Sequence, residues 1–260
     1  VKRMTVPTGS KSEIEDNVTW EVEQFLPFNV DDAQISFHIV GDIDRYNKDV
    51  LVVASKISYI RSMQDMLVQA GFIPRVVELK TLSLCNVFMD SVASEHRRLL
   101  IDFGSNSTKI ILIDEKAPLL VKEISLAGNS LTEEIQQEQG LSFFEADNLK
   151  TSWKKIGNVP GEINSIFENH IDLLIDEMRK VLNFYLAASD QDKITKVYIT
   201  GGHAQLPGLI PRLSQLFRQE IILFNPLDKI RIAKNVQTNV PVEDIASIGA
   251  TSIGLAMRSL

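Results

Sequence analysis

Apolar positions along this chain change their spacing repeatedly, and each change marks an element. From Ile14 through Val18 and Val22 to Phe25 they recur every three or four residues, which places them on one helical face. Ser10 and Glu13 stand at capping-box spacing ahead of that face, and Pro27 stops it. Strands are then expected at 33–40 and 49–54, separated by a polar turn over 42–48. A helix over 57–70 ends at Gly71, Pro74 introduces a strand at 75–79, and a helix follows at 80–94. The first part of the chain thus reads β-α-β-β-α-β.

Beyond the polar stretch 94–98, the pattern shifts to a three-strand meander at 98–103, 108–114 and 119–126. A helix over 129–139 ends at Gly140, and Ser142 with Glu145 caps another that runs to about Trp153. A long helix at 163–189 carries Ile171, Leu174, Met178, Val181, Leu182 and Tyr185 on one stripe. A strand at 195–200, a helix at 207–218, a strand at 220–224, a mostly irregular stretch to 240 and a last helix at 244–258 complete the reading. A meander followed by helices and then strand–helix–strand suits an RNase-H-like α/β domain.

Composition narrows the classes. The 260 residues are 44% hydrophobic and 23% charged, with a net charge of −7, which argues against a broad nucleic-acid or anionic-membrane surface. No apolar run approaches the ~18 residues that a membrane span needs, and no signal-peptide pattern is present. The chain starts at Val1 without Met, so it is expected to be a fragment. Cys85 is the one cysteine, which rules out an intramolecular disulfide; an inert buried thiol is its expected state. His38, His96, His170 and His203 show no metal-ligand spacing, and the whole suits a reducing cytoplasm.

Two segments carry candidate chemistry. In the first, two apolar strands flank the turn Gly104, Ser105, Asn106, Ser107, Thr108, with Asp102 at its mouth. Such a turn aims several backbone N–H groups at one point, where an oxyanion such as phosphate satisfies them. Gly104 lets backbone approach a ligand, and Asp102 at a strand end suits a hydrated Mg²⁺. The alternative is an ordinary hairpin turn. In the second segment, the strand ending at Thr200 runs into Gly201, Gly202 and His203, after which Leu209, Leu213 and Leu216 mark a helix. Paired glycines there suit a flat ligand lying against bare main chain, or simply a close strand–helix junction.

In this order the two segments resemble the phosphate-binding and adenosine-binding motifs of the actin-like ATPase superfamily. Three more segments are similar to one branch of it, the type IV pilus assembly PilM family, relatives of FtsA. These are Trp20-Glu21-Val22-Glu23-Gln24-Phe25-Leu26-Pro27-Phe28, then Gly128 to Thr132 with Gly140 to Ala146, and the helix from Glu177 to Tyr185. The resemblance implies an actin-like ATPase fold: a truncated first domain over 1–96 with an inserted subdomain, and a second RNase-H-like domain over 97–242. A helical subdomain at about 141–190 belongs to the second domain, and a C-terminal helix at 243–260 returns to the first. A further phosphate hairpin would lie upstream of Val1.

For function the resemblance implies a cytoplasmic adaptor at the inner membrane that binds ATP and Mg²⁺ and holds the cytoplasmic N-terminal peptide of PilN. Asp102 would take the metal, and residues 104–108 the phosphates. Glu177 and Lys180, which share a helix face, would border the ribose, unless they form a plain solvated ion pair. Gly201 and Gly202 would meet the adenosine, with His203 either stacking on adenine or narrowing the pocket. Trp20, Phe25, Leu26 and Phe28 are expected mainly in the core, near the peptide groove. No strong general base is apparent, so hydrolysis would be slow at most. The rivals are an active ATPase or sugar or acid kinase of the same superfamily, and a GspL-like secretion component.

Overall fold

The computed structural model describes residues 1–93, 97–188, 194–232 and 241–258. Its first sheet has three antiparallel strands, β1 (Lys2–Pro7), β2 (Ala33–Asp42) and β3 (Asn47–Lys56), in the order β1-β3-β2. Helix α1 (Lys11–Glu23) covers one face and buries Ile14, Val18 and Val22 against Val6, Val50 and Val52. The Ser10–Glu13 capping box forms as its spacing predicts. Trp20 does not join this core: it is 61% exposed, and Phe25 sits under the Lys2 ammonium at 3.9 Å instead. The reason is angular. Two residues on from Val18 the helix has turned about 200°, which carries Trp20 to the far side.

Helix α2 (Ile57–Gln69) follows β3 directly, and Gly71, with φ of +84°, turns the chain after it. The expected strand at 75–79 does not form; that segment runs without regular structure into α3 (Lys80–Ser91). A strand needs a partner edge, and local sequence cannot supply one.

The second sheet is built from near-continuous apolar strands, the pattern of a sheet buried on both faces. Strands β4 (Arg97–Phe103), β5 (Thr108–Ile113) and β6 (Pro118–Ile124) form the expected antiparallel meander. Strands β7 (Ile194–Thr200) and β8 (Ile221–Leu223) add in parallel on the other side of β4, giving the order β6-β5-β4-β7-β8. Leu99, Ile101, Phe103 and Ile110 point to one face, under α4 (Gly128–Gln139), the long α7 (Asn164–Ala188) and α8 (Leu209–Phe217). Between α4 and α7, α5 (Phe143–Thr151) and the short α6 (Trp153–Ile156) replace the single helix expected there.

The opposite face presents Leu100, Ile111 and Tyr198 to Leu84, Val87 and Phe88 of α3. Cys85 lies in that layer, and burial pushes its thiol pKa up to about 12, so it is chemically inert. The last helix divides at Gly249 into α9 (Val242–Ile248) and α10 (Ala250–Ala256). Helix α10 packs on α3 so closely that a Cβ on Gly254 would lie 1.9 Å from the Ser83 carbonyl oxygen. Arg3 ties the two sheets together. Its guanidinium pairs with Asp49 on β3, donates to Asp114 at 2.5 Å in the β5–β6 turn and reaches the Ala117 carbonyl at 3.4 Å.

Candidate functional site

Because β4 and β7 are parallel neighbours, their carboxyl ends finish side by side, with Asp102 opposite Thr200. Clefts at the carboxyl ends of parallel strands are where α/β sheets bind ligands. Each strand there leads into a turn. After β4, Gly104 donates its N–H to Ser107 O at 3.2 Å, closing the hairpin. After β7 the chain must pass the end of β4 at contact distance. Gly201 makes this possible: it has φ of +97°, and a Cβ on it would lie 2.4 Å from Phe103 O. His203 N–H then donates to Phe103 O at 3.0 Å, and Gly201 N–H to Ser247 O at 3.0 Å.

The amino end of α4 closes on the hairpin from the other side. Gly128 and Asn129 donate their N–H groups to Gly104 O at 3.1 Å and Ser105 O at 2.7 Å. The Asn129 amide reaches Asn106 Oδ1 at 2.7 Å, and Thr108 Oγ1 donates to Leu126 O at 2.7 Å. The carbonyls of Gly104 and Ser105 are thereby committed to α4, and that of Ser107 to Gly104. Among the described residues, no backbone hydrogen bond is donated by Ser105, Asn106 or Ser107. A turn with most of its acceptors tied and its donors free is suited to an anion.

Asp102 is largely buried, with 19% of its side chain exposed. Burial raises its carboxyl pKa most and Glu123 adds to this, while Lys109 and Lys80 act in the opposite direction. His203 lies behind the turn, not in it. It is 8% exposed and packs edge-on against His170 with ring centroids 6.0 Å apart. Burial first, then the charge of Lys150 and His170, lowers its pKa to about 3, so the ring is neutral. Lys150 holds the layer in place: its ammonium donates to Gly128 O at 3.0 Å and Thr132 Oγ1 at 2.7 Å, and it pairs with Asp147 at 2.8 Å.

The structure therefore brings Asp102, Gly104, Ser105, Asn106, Ser107, Thr108, Gly201 and Gly202 to one place, with His203 supporting them from inside. Glu177 and Lys180 sit elsewhere, on the exposed side of α7, paired at 2.5 Å. With Leu173, Asp176, Arg179 and Asn183 they line a shallow groove of about 260 Å³. Sequence reading took Gly128 and Asn129 only as part of the family resemblance, not as site residues, and passed over Lys150; the three fix the hairpin from a segment 20 to 50 residues away. It also passed over Thr200 and Lys109, the register neighbours of Asp102. Counting outward from the turn, 103 opposite 108 and 102 opposite 109, would have found Lys109.

A family model described as "Type IV pilus assembly protein PilM" matches residues 1–260. The chain belongs to the PilM family. Its fold matches that of a solved PilM-PilN type IV pilus biogenesis complex, with a TM-score of 0.87 over 99% of this chain and 75% of that one, at 23% identity. MreB5 of Spiroplasma citri is a more distant neighbour. Its AMPPNP-bound structure gives a TM-score of 0.52 at 13% identity, covering 76% of this chain and 63% of that one. The ADP-bound structure gives 0.53 at 12% identity, covering 78% and 65%. The PilM family member described here is thus a type IV pilus assembly protein with an actin-like fold. Among its described residues, no helix is long and apolar enough to cross a membrane.

Proposed function

We propose that this PilM family chain is a nucleotide-binding adaptor on the cytoplasmic face of the inner membrane. It holds ATP with Mg²⁺ at the β4–β5 hairpin and the diglycine turn, and offers a groove to the cytoplasmic N-terminal peptide of PilN. The observation that carries the nucleotide half is the convergence of two turns at the carboxyl ends of β4 and β7, one with free N–H donors and one bare of side chains. The solved PilM-PilN complex supports the partner half. The actin-like neighbours solved with AMPPNP and ADP support the class of ligand.

The residues fit the metal. Among the described residues no cluster of three His, Cys, Asp or Glu exists, and Mg²⁺ does not need one. It is commonly held by one or two carboxylates, with waters and phosphate oxygens completing its shell. Burial raises the Asp102 pKa, and a nearby cation would act in the opposite direction and favour its carboxylate form. Bound Mg²⁺ would neutralise phosphate charge. In this reading the N–H groups of Ser105, Asn106 and Ser107 bind the phosphate oxygens, with Gly104 and Thr108 fixing the turn's ends. Gly201 and Gly202 admit the nucleoside and His203 supports that turn from the core, whereas Glu177 and Lys180 form a plain solvated ion pair away from the site.

The division into 1–96, 97–242 and 243–260 would make the ligand a clasp between domains, and closure would change the groove presented to the partner. The test is titration of the intact protein with a fluorescent ATP analogue in Mg²⁺. Asp102→Ala is expected to weaken binding at least about tenfold, the loss of one charge-assisted contact, and Gly202→Val to weaken it by filling the space of the bare turn. Unchanged affinity in both variants removes the nucleotide reading. Capture of a PilN N-terminal peptide with negligible ATP turnover supports an adaptor, whereas steady turnover with a small-molecule acceptor supports a kinase.

A further inference from the structure

Strand register places four polar residues in one transverse row across the second sheet: Thr200 on β7, Asp102 on β4, Lys109 on β5 and Glu123 on β6. One step inward on the same face, the corresponding row is Tyr198, Leu100, Ile111 and Val121, packed beneath α3. The face thus changes from apolar to charged just where α3 begins, and Lys80, the first residue of α3, acts on Asp102 from above. Exposure grades along the row. Thr200 is 1% exposed, Asp102 and Lys109 are mostly covered, and Glu123 is open.

Two details mark the row as more than a structural ladder. The Thr200 hydroxyl is buried with no hydrogen-bond partner, an arrangement that costs free energy unless something occupies the space beside it. The Lys109 ammonium stands 3.8 Å from Asp102 Oδ2 and 3.3 Å from Ser107 Oγ, both longer than the 2.7–2.9 Å of a tight charged pair. It hangs between the carboxylate and the hairpin, held firmly by neither.

We propose that Lys109 is a phosphate-binding residue that acts as a tethered cation, sharing Asp102 with Mg²⁺ and lending the hairpin positive charge when the metal is absent. The inference deepens the nucleotide reading above and rests on it. An arriving polyphosphate draws the ammonium toward the Ser107 side of the turn, and the Asp102 carboxylate so released is free for Mg²⁺. The consequence is polyphosphate binding that depends only weakly on the metal.

The experiment measures the affinity of the intact protein for a fluorescent ATP analogue, in Mg²⁺ and in EDTA, with inorganic triphosphate as competitor. The wild type is expected to lose less than about tenfold on metal removal, and triphosphate should displace the analogue in EDTA. Lys109→Met should lose a further tenfold or more in EDTA but only a few-fold in Mg²⁺, since one charge-assisted contact is worth about 10- to 100-fold. Lys109→Gln should behave as Lys109→Met does, and Lys109→Arg should restore binding in EDTA. Equal losses in both buffers would mean a structural role only, and no loss in either would also overturn the proposal; in both cases the nucleotide reading survives. Absence of wild-type binding in both buffers overturns that reading and this one together.

Discussion

The three-stranded sheet and the five-stranded sheet are covered by helices to different extents, and their sequences differ accordingly. In the first, one helix covers one face, so β2 alternates between partly buried and exposed residues, and its buried core is six valine and isoleucine side chains. In the second, helices cover both faces, so β4 and β5 are buried at nearly every residue and two separate cores form. Burial scales with the number of covered faces, and stability follows burial. The site lies on the sheet with the larger cores. A turn that must hold backbone donors in fixed positions needs rigid strands behind it. The smaller sheet is joined to the larger through a polar clamp at Arg3, which is the kind of contact that can release.

The largest expected effect tests this contrast directly. Phe88 is fully buried and meets Tyr198 and Phe224 edge-on at centroid distances of 5.0 Å and 5.2 Å. Phe88→Ala should cost about 3–5 kcal/mol in chemical denaturation. Val18→Ala, equally buried in the smaller core, should cost roughly 2 kcal/mol and leave the five-stranded sheet intact. Equal losses, or a common transition for both, would break the comparison.

Cutting the clamp comes next. Arg3→Met removes charged hydrogen bonds to Asp49 and Asp114, each worth about 1.5–3 kcal/mol where partly buried. The expected readout is faster amide exchange through β1, β2 and β3 with little change in β4, β5 and β7. Uniform acceleration across both sheets would show that they unfold as one unit.

The smallest effect is a pH dependence that belongs to the larger sheet alone. The folded pKa of His203 is lowered to about 3 from 6.5, so in mild acid the unfolded chain binds a proton that the folded chain does not. Stability contributed by the neutral ring is complete above pH 6.5 and is lost as pH falls toward 3. One unit below 6.5 the loss is about 1.4 kcal/mol at most. His203→Gln should flatten the Tm–pH profile between pH 5 and 6.5; an unchanged slope would assign the acid sensitivity to other groups.

Much of the fold was legible because its signals are local. The capping boxes at Ser10 and Ser142, the left-handed stop at Gly140 and the meander through β6 each depend on residues a few positions apart. The expected strand at 75–79 failed for the opposite reason, since pairing depends on a neighbour that spacing does not reveal. Trp20 was grouped with Phe25, Leu26 and Phe28 as mainly core from their crowding at a helix end, whereas the angle around α1 decides its exposure. His203 was read as facing a ligand, and the structure turns its ring inward against His170. Of the mostly irregular stretch expected at 225–240, residues 233–240 lie outside the described residues.

By itself, the sequence determined which segments are helix and strand in the second sheet and which two turns carry the glycines and hydroxyls of the site. Period, capping and turn chemistry act within a few residues, so they can be read in order along the chain. Only the tertiary structure decided that Asp102 and Thr200 end side by side, that α4 ties the hairpin's carbonyls, and that Thr200, Asp102, Lys109 and Glu123 form one row. Register between strands distant in sequence is set by the packing of whole faces, and that sum of contacts is not written in any one stretch of residues.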